Sequence, residues 1–423
     1  MIRRNIFLFK CLYFFNGLWL FSAMAVIYFE QVCHSYALAM LAFSLVNIAQ
    51  CLAEVPCGIF SDRVSRKTTM VLGESCWFLN MLSWAFAGVY SSVFLLFLGS
   101  CLRGIGLAFL SGTDSAMIYE TLAQIRKRKI FMTVLAKINS FHQLGLLLSA
   151  LIATIVTFYF SLKTLVWLSV IPAFCNLLVV LFLVNPKNKF DSSLSLYKQT
   201  AKSISLFFKK KKLRSYALLK VLNTSLEYSV FRFESAYFGQ LLPIYMVSIV
   251  RILQHALGCI SFQITSLLNK INLLKIICYS TLGNSLIKLL GLAMNNTLSP
   301  FIIAMQNLFY GPEVSSSTTL LQKEYTNSLR ATMDSIIGLV GSLGVALVSF
   351  LIGFIADFCS ARAILIGCSF MGIGIAMAYH RLLRVNPPKK LKFNFIVAIL
   401  RLLHRLAILR LLHRQCEIVR EKF

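Results

Sequence analysis

Ten ionisable side chains lie inside long apolar runs of this sequence. Glu54, Glu74, Arg103, Asp114 and Glu120 fall in the first half, and Glu227, Arg232, Glu234, Lys288 and Glu313 in the second. Charge in an apolar setting is costly, so such residues are expected to pair with one another or to engage a substrate or ion. Burial favours the neutral acid and a neighbouring arginine favours the carboxylate, and this competition lets a group load and release a proton near neutral pH. Glu227 and Glu234, seven residues apart, share one helical face, with Arg232 within a turn of Glu234. Arg103 and Asp114, eleven apart, face similarly but lie about 16 Å apart along a continuous helix. Each therefore needs a partner on another element. Asp114 and Glu227 are the leading candidates for a proton-carrying or substrate-binding carboxylate. Glu54, Arg103, Arg232 and Glu234 complete the candidate site, and structural ion pairing is the alternative for all six. The lone His142 and His255 are expected to be hydrogen-bonded span residues, and Gly311-Pro312 to allow a bend.

A second cluster interrupts the apolar pattern rather than hiding in it. Residues 58–67 read GIFSDRVSRK, with Asp62, Arg63, Arg66 and Lys67 in six positions. Three cations at such a break need no special function when the loop faces the cytoplasm. The acid is different. An anionic side chain beside a helix N-terminus gains from the helix dipole, and topology alone does not require Asp62.

The elements that hold these residues follow from composition. The chain has 423 residues, 58% hydrophobic and 13% charged, with mean hydropathy +0.76. Apolar runs of about 20 residues, the length that crosses a bilayer core, recur from end to end. Backbone polar groups in lipid must be satisfied internally, which leaves helices or closed barrels. The runs lack the alternation of barrel strands. The fold class is therefore an all-α integral membrane protein, with twelve spans predicted near 6–29, 37–60, 69–90, 93–121, 138–160, 164–184, 215–238, 250–269, 273–294, 299–320, 331–357 and 363–380. The first of these, though it imitates a secretory signal, reads as a retained helix. The basic stretch 185–214 separates six spans from six. The expected organisation is a six-helix half (1–184), a basic linker (185–214), a second half (215–380) and a basic tail (381–423).

The net charge of +27 is distributed unevenly. With the N-terminus inside, segments predicted to be cytoplasmic hold 35 of the 42 Lys and Arg residues. The external segments hold only Lys163, Arg251 and Arg362. This asymmetry places both termini in the cytoplasm and argues for topology and anionic lipid, not nucleic acid, as the reason for the basic excess. Residues 200–208 could form a surface helix next to Lys209–Lys212. The tail repeats LRLLHR at 400–405 and 409–414. A nine-residue period is half a revolution off register in an α-helix, so one straight amphipathic helix is not supported. The twelve cysteines fall mostly within spans; Cys33 and Cys359 are both external in this topology, and the sequence leaves their pairing open. No metal-ligand spacing, nucleophile elbow or phosphate-cradling loop occurs, so no cofactor is expected and the chain does not read as an enzyme.

GIFSDRVSRK resembles the signature loop between helices two and three of the major facilitator superfamily, roughly G-x-x-x-D-R-x-G-R-R/K. Gly58, Asp62, Arg63, Arg66 and Lys67 match, and Ser65 stands where glycine is usual, which predicts a strained or differently shaped turn. Glu54-Val55-Pro56-Cys57-Gly58 resembles the E-x-P-x-G lead-in of bacterial members, and Arg103-Gly104-Ile105-Gly106 partly matches R-x-x-Q-G. SGTDSAMIYETL (111–122), Arg330-Ala331-Thr332 and Gly353-x-x-x-Asp357 fit a bacterial permease group of that superfamily. The second half carries no signature copy, since 266–275 reads SLLNKINLLK, and 139–157 lacks the antiporter glycine-proline pattern. The resemblance implies two six-helix halves with helices two and eleven packed across them. Asp62 would hold the start of helix eleven near Arg330 when the cytoplasmic side is shut, with Glu120 joining the gate cluster of Asp62 and Arg63. It further implies a monomeric secondary transporter, permease, symporter or antiporter, of the cell inner membrane. Its substrate would be a small molecule, with protons as the coupling ion. Uptake of a small polar metabolite is favoured over proton-driven efflux of amphiphiles. A sensor or anchor acting through its basic tail is the reading from another class, and deletion of 389–423 separates it from the transporters.

Overall fold

The computed structural model describes residues 4–127, 130–185, 210–268, 271–324 and 330–385. The described residues run in twelve helical segments: α1 (Arg4–Cys33), α2 (Tyr36–Arg63), α3 (Arg66–Tyr90), α4 (Val93–Gln124), α5 (Phe131–Tyr159), α6 (Leu162–Leu181), α7 (Lys211–Leu241), α8 (Ile244–Leu267), α9 (Leu273–Met294), α10 (299–324), α11 (Arg330–Ala356) and α12 (Ala361–Val385). Among the described residues, nine helices are long and apolar enough to cross a membrane by length and composition. α3, α7 and α10 fall outside that set. They carry buried polar side chains that are used within the bundle, including Glu74 and Asn80, Asn223 and Glu234, and Gln306. The surface-helix stretch 200–208 and the repeats of the tail lie outside the described residues.

Short polar punctuation starts the helices. The side chains of Ser35, Ser65, Ser92, Ser161 and Asn272 each accept a hydrogen bond from an amide two or three residues on, at the starts of α2, α3, α4, α6 and α9. Ser65 explains how the signature loop turns without its usual glycine. Its backbone is extended (φ −79°, ψ 146°), a conformation that requires no glycine, and its hydroxyl caps α3 by accepting from Thr68 N. The turn is thus unstrained and differently shaped, the second of the two outcomes that the missing glycine predicts.

Four segments are interrupted, α6 only briefly at Ser169 between Leu162–Leu168 and Val170–Leu181. α1 breaks at 18–24 and α10 passes through a 3₁₀ stretch at Met305–Phe309. α4 breaks at Ser111-Gly112, where Gly112 adopts φ +71°, a left-handed conformation that favours glycine. Arg103 and Asp114 therefore do not share one continuous helix, as their spacing suggests. Asp114 stands in the first turn of a new helix, where an acid is favoured by the dipole.

Lipid gives no hydrophobic reason for helices to associate, so close packing and hydrogen bonds hold the bundle. Small residues permit that approach. A Cβ on Gly145 of α5 would meet the Phe14 carbonyl of α1 at 2.2 Å, and one on Gly104 of α4 would meet the Val46 carbonyl of α2 at 2.4 Å.

The halves meet mainly through α2 with α11 and α5 with α8. The ends of the bundle differ. At the far end, away from the basic loops, one core is continuous across both halves: Phe21, Phe29, Met40 and Trp84 from one, Val230, Phe233, Val247 and Ile352 from the other. At the basic end the core divides in two. Leu8, Phe9, Met117 and Ile138 form one cluster within the first half, and Leu213, Ile277, Leu321 and Tyr379 another within the second. Among the described residues, the apolar core is thus shared by the halves at one end and divided at the other.

Candidate functional site

In the first half, α1 to α5 line an open cavity of about 470 Å³. Tyr13 and Asn16 from α1, Gln50 from α2, Glu74 from α3, Arg103 and Asp114 from α4, and Asn139 and His142 from α5 line it. Asp114 accepts a short hydrogen bond from the Tyr13 hydroxyl and a second from Ser115 N at 2.6 Å. Glu74, fully buried, accepts from Asn176 Nδ2 at 2.9 Å. Glu54, just below the cavity, accepts from Ser111 Oγ at 2.9 Å. Arg103 lays its guanidinium over the Trp77 ring at 5.4 Å, an electrostatically favourable seat for a cation. His142 packs edge-on against Tyr13, with centroids 6.5 Å apart. The break at Gly112 is what lets Arg103 and Asp114 line one cavity from two helix pieces.

Three ion pairs occur among the described residues: Arg66 with Glu120, Arg251 with Glu234 and Lys288 with Glu227. Glu54, Glu74 and Asp114 thus keep neutral hydrogen-bond partners. In the second half the charges are coupled more tightly. Lys288 Nζ donates to Glu227 at 2.9 Å. Glu313, an acid of α10, accepts from Asn223 at 3.0 Å.

Glu234 sits in a closed network. Gln254 and Gln306 donate to it at 3.0 and 2.7 Å, and Arg251 approaches at 3.6 Å while bonding Gln254 and the Phe231 carbonyl. Arg251 is only 3% exposed and lies about two turns inside α8, not at the external edge of the span where the sequence reading counts it. The helix begins earlier, at Ile244, because Pro243 starts it, and the paired acid makes burial of the cation tolerable. Arg232 points elsewhere: its guanidinium covers the Phe43 ring of α2 at 4.7 Å, across the two halves, and its Nη1 is buried without a hydrogen bond. The one-turn spacing of Arg232 and Glu234 thus does not make them partners.

At the signature loop, Arg66 Nη1 donates to Ser61 Oγ at 3.1 Å and Arg66 Nε lies 3.5 Å from Glu120. Glu120 thus meets the loop through Arg66, while the expected cluster with Asp62 and Arg63 lies outside the described residues. Lys67 contributes its backbone amide to Asn185 Oδ1. Gly58 is exposed, with no neighbour within 4 Å of a Cβ placed there. The side chains of Asp62, Arg63 and Arg330 lie outside the described residues. Cys33 and Cys359 are free thiols. Gly311 serves close approach to α8: a Cβ there would stand 2.6 Å from Phe262 N, and its own amide donates to Ser261 Oγ.

Sequence reasoning passes over Tyr13, Asn176, Gln254 and Gln306. All are uncharged, and only their polarity within a span could mark them.

Comparison with known proteins fits this arrangement. Residues 6–271 match the family model of the Major Facilitator Superfamily. An uncharacterized transporter of Buchnera aphidicola subsp. Schizaphis graminum (strain Sg) is 27% identical over 178 residues, 42% of this chain and 43% of that protein. The match thus spans less than half the length of this curated relative. Among solved structures, a point mutant of the nucleoside transporter NupG superposes with TM-score 0.76 at 14% identity, covering 89% of this chain and 99% of NupG. A D-xylose-proton symporter gives 0.69 at 14%, with 89% and 96% covered. The inward-open xylose transporter XylE from E. coli gives 0.66 at 14%, with 93% and 98% covered. At such identities the likeness is one of fold. With the family match over more than half of its length, the chain belongs to the Major Facilitator Superfamily as a multi-pass membrane transporter of two six-helix halves.

Proposed function

We propose that this protein is a proton-coupled transporter that takes up a small polar metabolite by alternating access, with the first-half cavity as part of its substrate site. The observation that carries the reading is the polar cavity itself: both charge signs line it, in a bundle joined at the far end and divided at the basic end. The charge asymmetry supports a cytoplasmic basic end in the inner membrane, so the conformation is the inward-facing one. Asp114 is the proton carrier of the cavity. Its partners are a hydroxyl and an amide, so it exchanges a proton without breaking an ion pair. Arg103 holds the polar substrate beside it. Glu227, which accepts from Lys288 Nζ at 2.9 Å, is the second candidate carboxylate. In the outward-facing state Asp62 caps the start of α11 near Arg330 and shuts the basic end. The molecule acts as a monomer, the usual unit when one chain supplies both halves.

The test begins with thermal stabilisation of the purified protein by a panel of polar metabolites. Radiolabelled uptake of the best stabiliser into proteoliposomes follows, with and without an inward proton gradient. The gradient should accelerate uptake, and Asp114→Asn should abolish the acceleration while leaving ligand-induced stabilisation in place. Uptake indifferent to the gradient in the unmodified protein would overturn proton coupling.

A further inference from the structure

The α2/α11 pair carries the spacing Gly-x-x-x-Asp twice. Gly58 and Asp62 end α2, and Gly353 and Asp357 end α11. The helices are antiparallel; Asp62 stands in the last turn of α2, and Asp357 follows the last residue of α11, beside the N-terminus of α2. At the far end this apposition is fully made. Asp357 Oδ2 accepts from Ser35 Oγ at 2.6 Å, and Asp357 Oδ1 from the backbone amides of Tyr36 at 2.7 Å and Ala37 at 3.3 Å. Ser35 in turn caps Leu38 N at 3.2 Å. The free amides that begin α2 are thereby satisfied, two of them by a carboxylate from the other half of the molecule. Gly353 makes the approach possible, since a Cβ there would lie 2.5 Å from the Tyr36 carbonyl. Arg362, the nearest cation in sequence, donates to the Leu292 and Ala293 carbonyls instead. Asp357 therefore serves α2 amides and not a salt bridge. At the other end Gly58 has no neighbour within 4 Å.

We propose that Asp357 is a gate residue: with Ser35 and Gly353 it latches the far end shut in the inward-facing state. The proposal rests on the alternating-access reading given above. Opening the far end must separate α2 from α11 there and return the Tyr36 and Ala37 amides to water. The latch therefore holds one state and contributes nothing to the other, which is the condition for biasing a two-state equilibrium. The cost of breaking it sets the fraction of molecules facing outward.

Nitroxide labels at positions 91 and 296, on far-end turns of opposite halves, test this in the full-length protein. The background replaces native cysteines with serine, the protein is in lipid nanodiscs, and distances are read by pulsed electron resonance. Asp357→Asn should enlarge the long-distance population about two- to fivefold relative to the short one. Ser35→Ala should shift it the same way by less, and serves if the first variant does not fold. Asp62→Asn, at the other end, should shrink the long-distance population. General loosening would not drive the two acids' variants in opposite directions. Unchanged distances in both Asp357→Asn and Ser35→Ala, with Asp62→Asn still active, would overturn the far-end latch alone. Unchanged distances in all three would overturn the latch together with the two-state reading beneath it.

Discussion

The two ends of the α2/α11 pair have related sequences and opposite packing. At the far end the helices touch through Gly353, the Ser44 hydroxyl donates to the Ala346 carbonyl at 2.6 Å, and Asp357 bridges the halves. Tyr36 with Phe233, and Phe158 with Tyr245, add ring contacts between the halves at 5.7 and 5.2 Å. At the basic end each half keeps its own apolar cluster, and Gly58 faces open space. The difference teaches that closure here is not a matter of hydrophobicity, since lipid offers apolar groups no less welcome. It is decided by close backbone approach and by polar groups that find partners only when the halves meet.

The comparison can be broken first where the far end is most expensive to disturb. Glu234→Gln would leave Arg251 charged and buried without its counter-ion, and loss of one partner of a buried pair costs about 3–5 kcal/mol. The melting temperature of the purified protein should fall sharply; a change within error would mean that the Gln254–Gln306 network does not depend on the charge. The next test uses the two glycines against each other. Gly353→Val forces a side chain into the Tyr36 carbonyl and Met40, and overpacking of this kind costs about 1–3 kcal/mol. Gly58→Ala should leave the melting temperature of this conformation unchanged, because nothing lies near the added methyl. Equal loss in both variants would contradict the unequal packing of the two ends. The smallest effect belongs to the signature loop, where Arg66 keeps 29% of its side-chain surface exposed in its contact with Glu120. Exposed pairs contribute about 0.2–1 kcal/mol, and the burial of Glu120, with 9% of its side chain exposed, puts this pair at the upper end of that range. Arg66→Ala should therefore lower stability by less than about 1 kcal/mol, and high salt should mask the change.

Much of the architecture is legible residue by residue. Apolar runs and polar breaks locate the helices to within a few residues, and the signature loop stands at its expected place between α2 and α3. Serine in place of glycine at position 65 looks like strain because the familiar pattern has glycine there; the hydroxyl instead caps a helix. Arg251 is misleading for a related reason. A cation near the start of a span resembles a loop residue until its acid, on another helix, is seen. Arg103 and Asp114 read as three turns apart on one rod, and Gly112 breaks that rod. In each case the deciding partner is local geometry or a side chain distant in sequence.

What the sequence determined by itself was the helical class and the number and order of segments. Its basic loops also mark one end of the bundle. Backbone groups in lipid must bond within their own segment, so composition and length suffice for that much. Only the tertiary structure decided which charges pair, which acids keep neutral partners and which end of α2/α11 is shut. Those depend on contacts between helices, such as Asp357 with Tyr36 and Glu234 with Arg251, whose members lie 321 and 17 positions apart. No periodicity along the chain encodes a contact of that range.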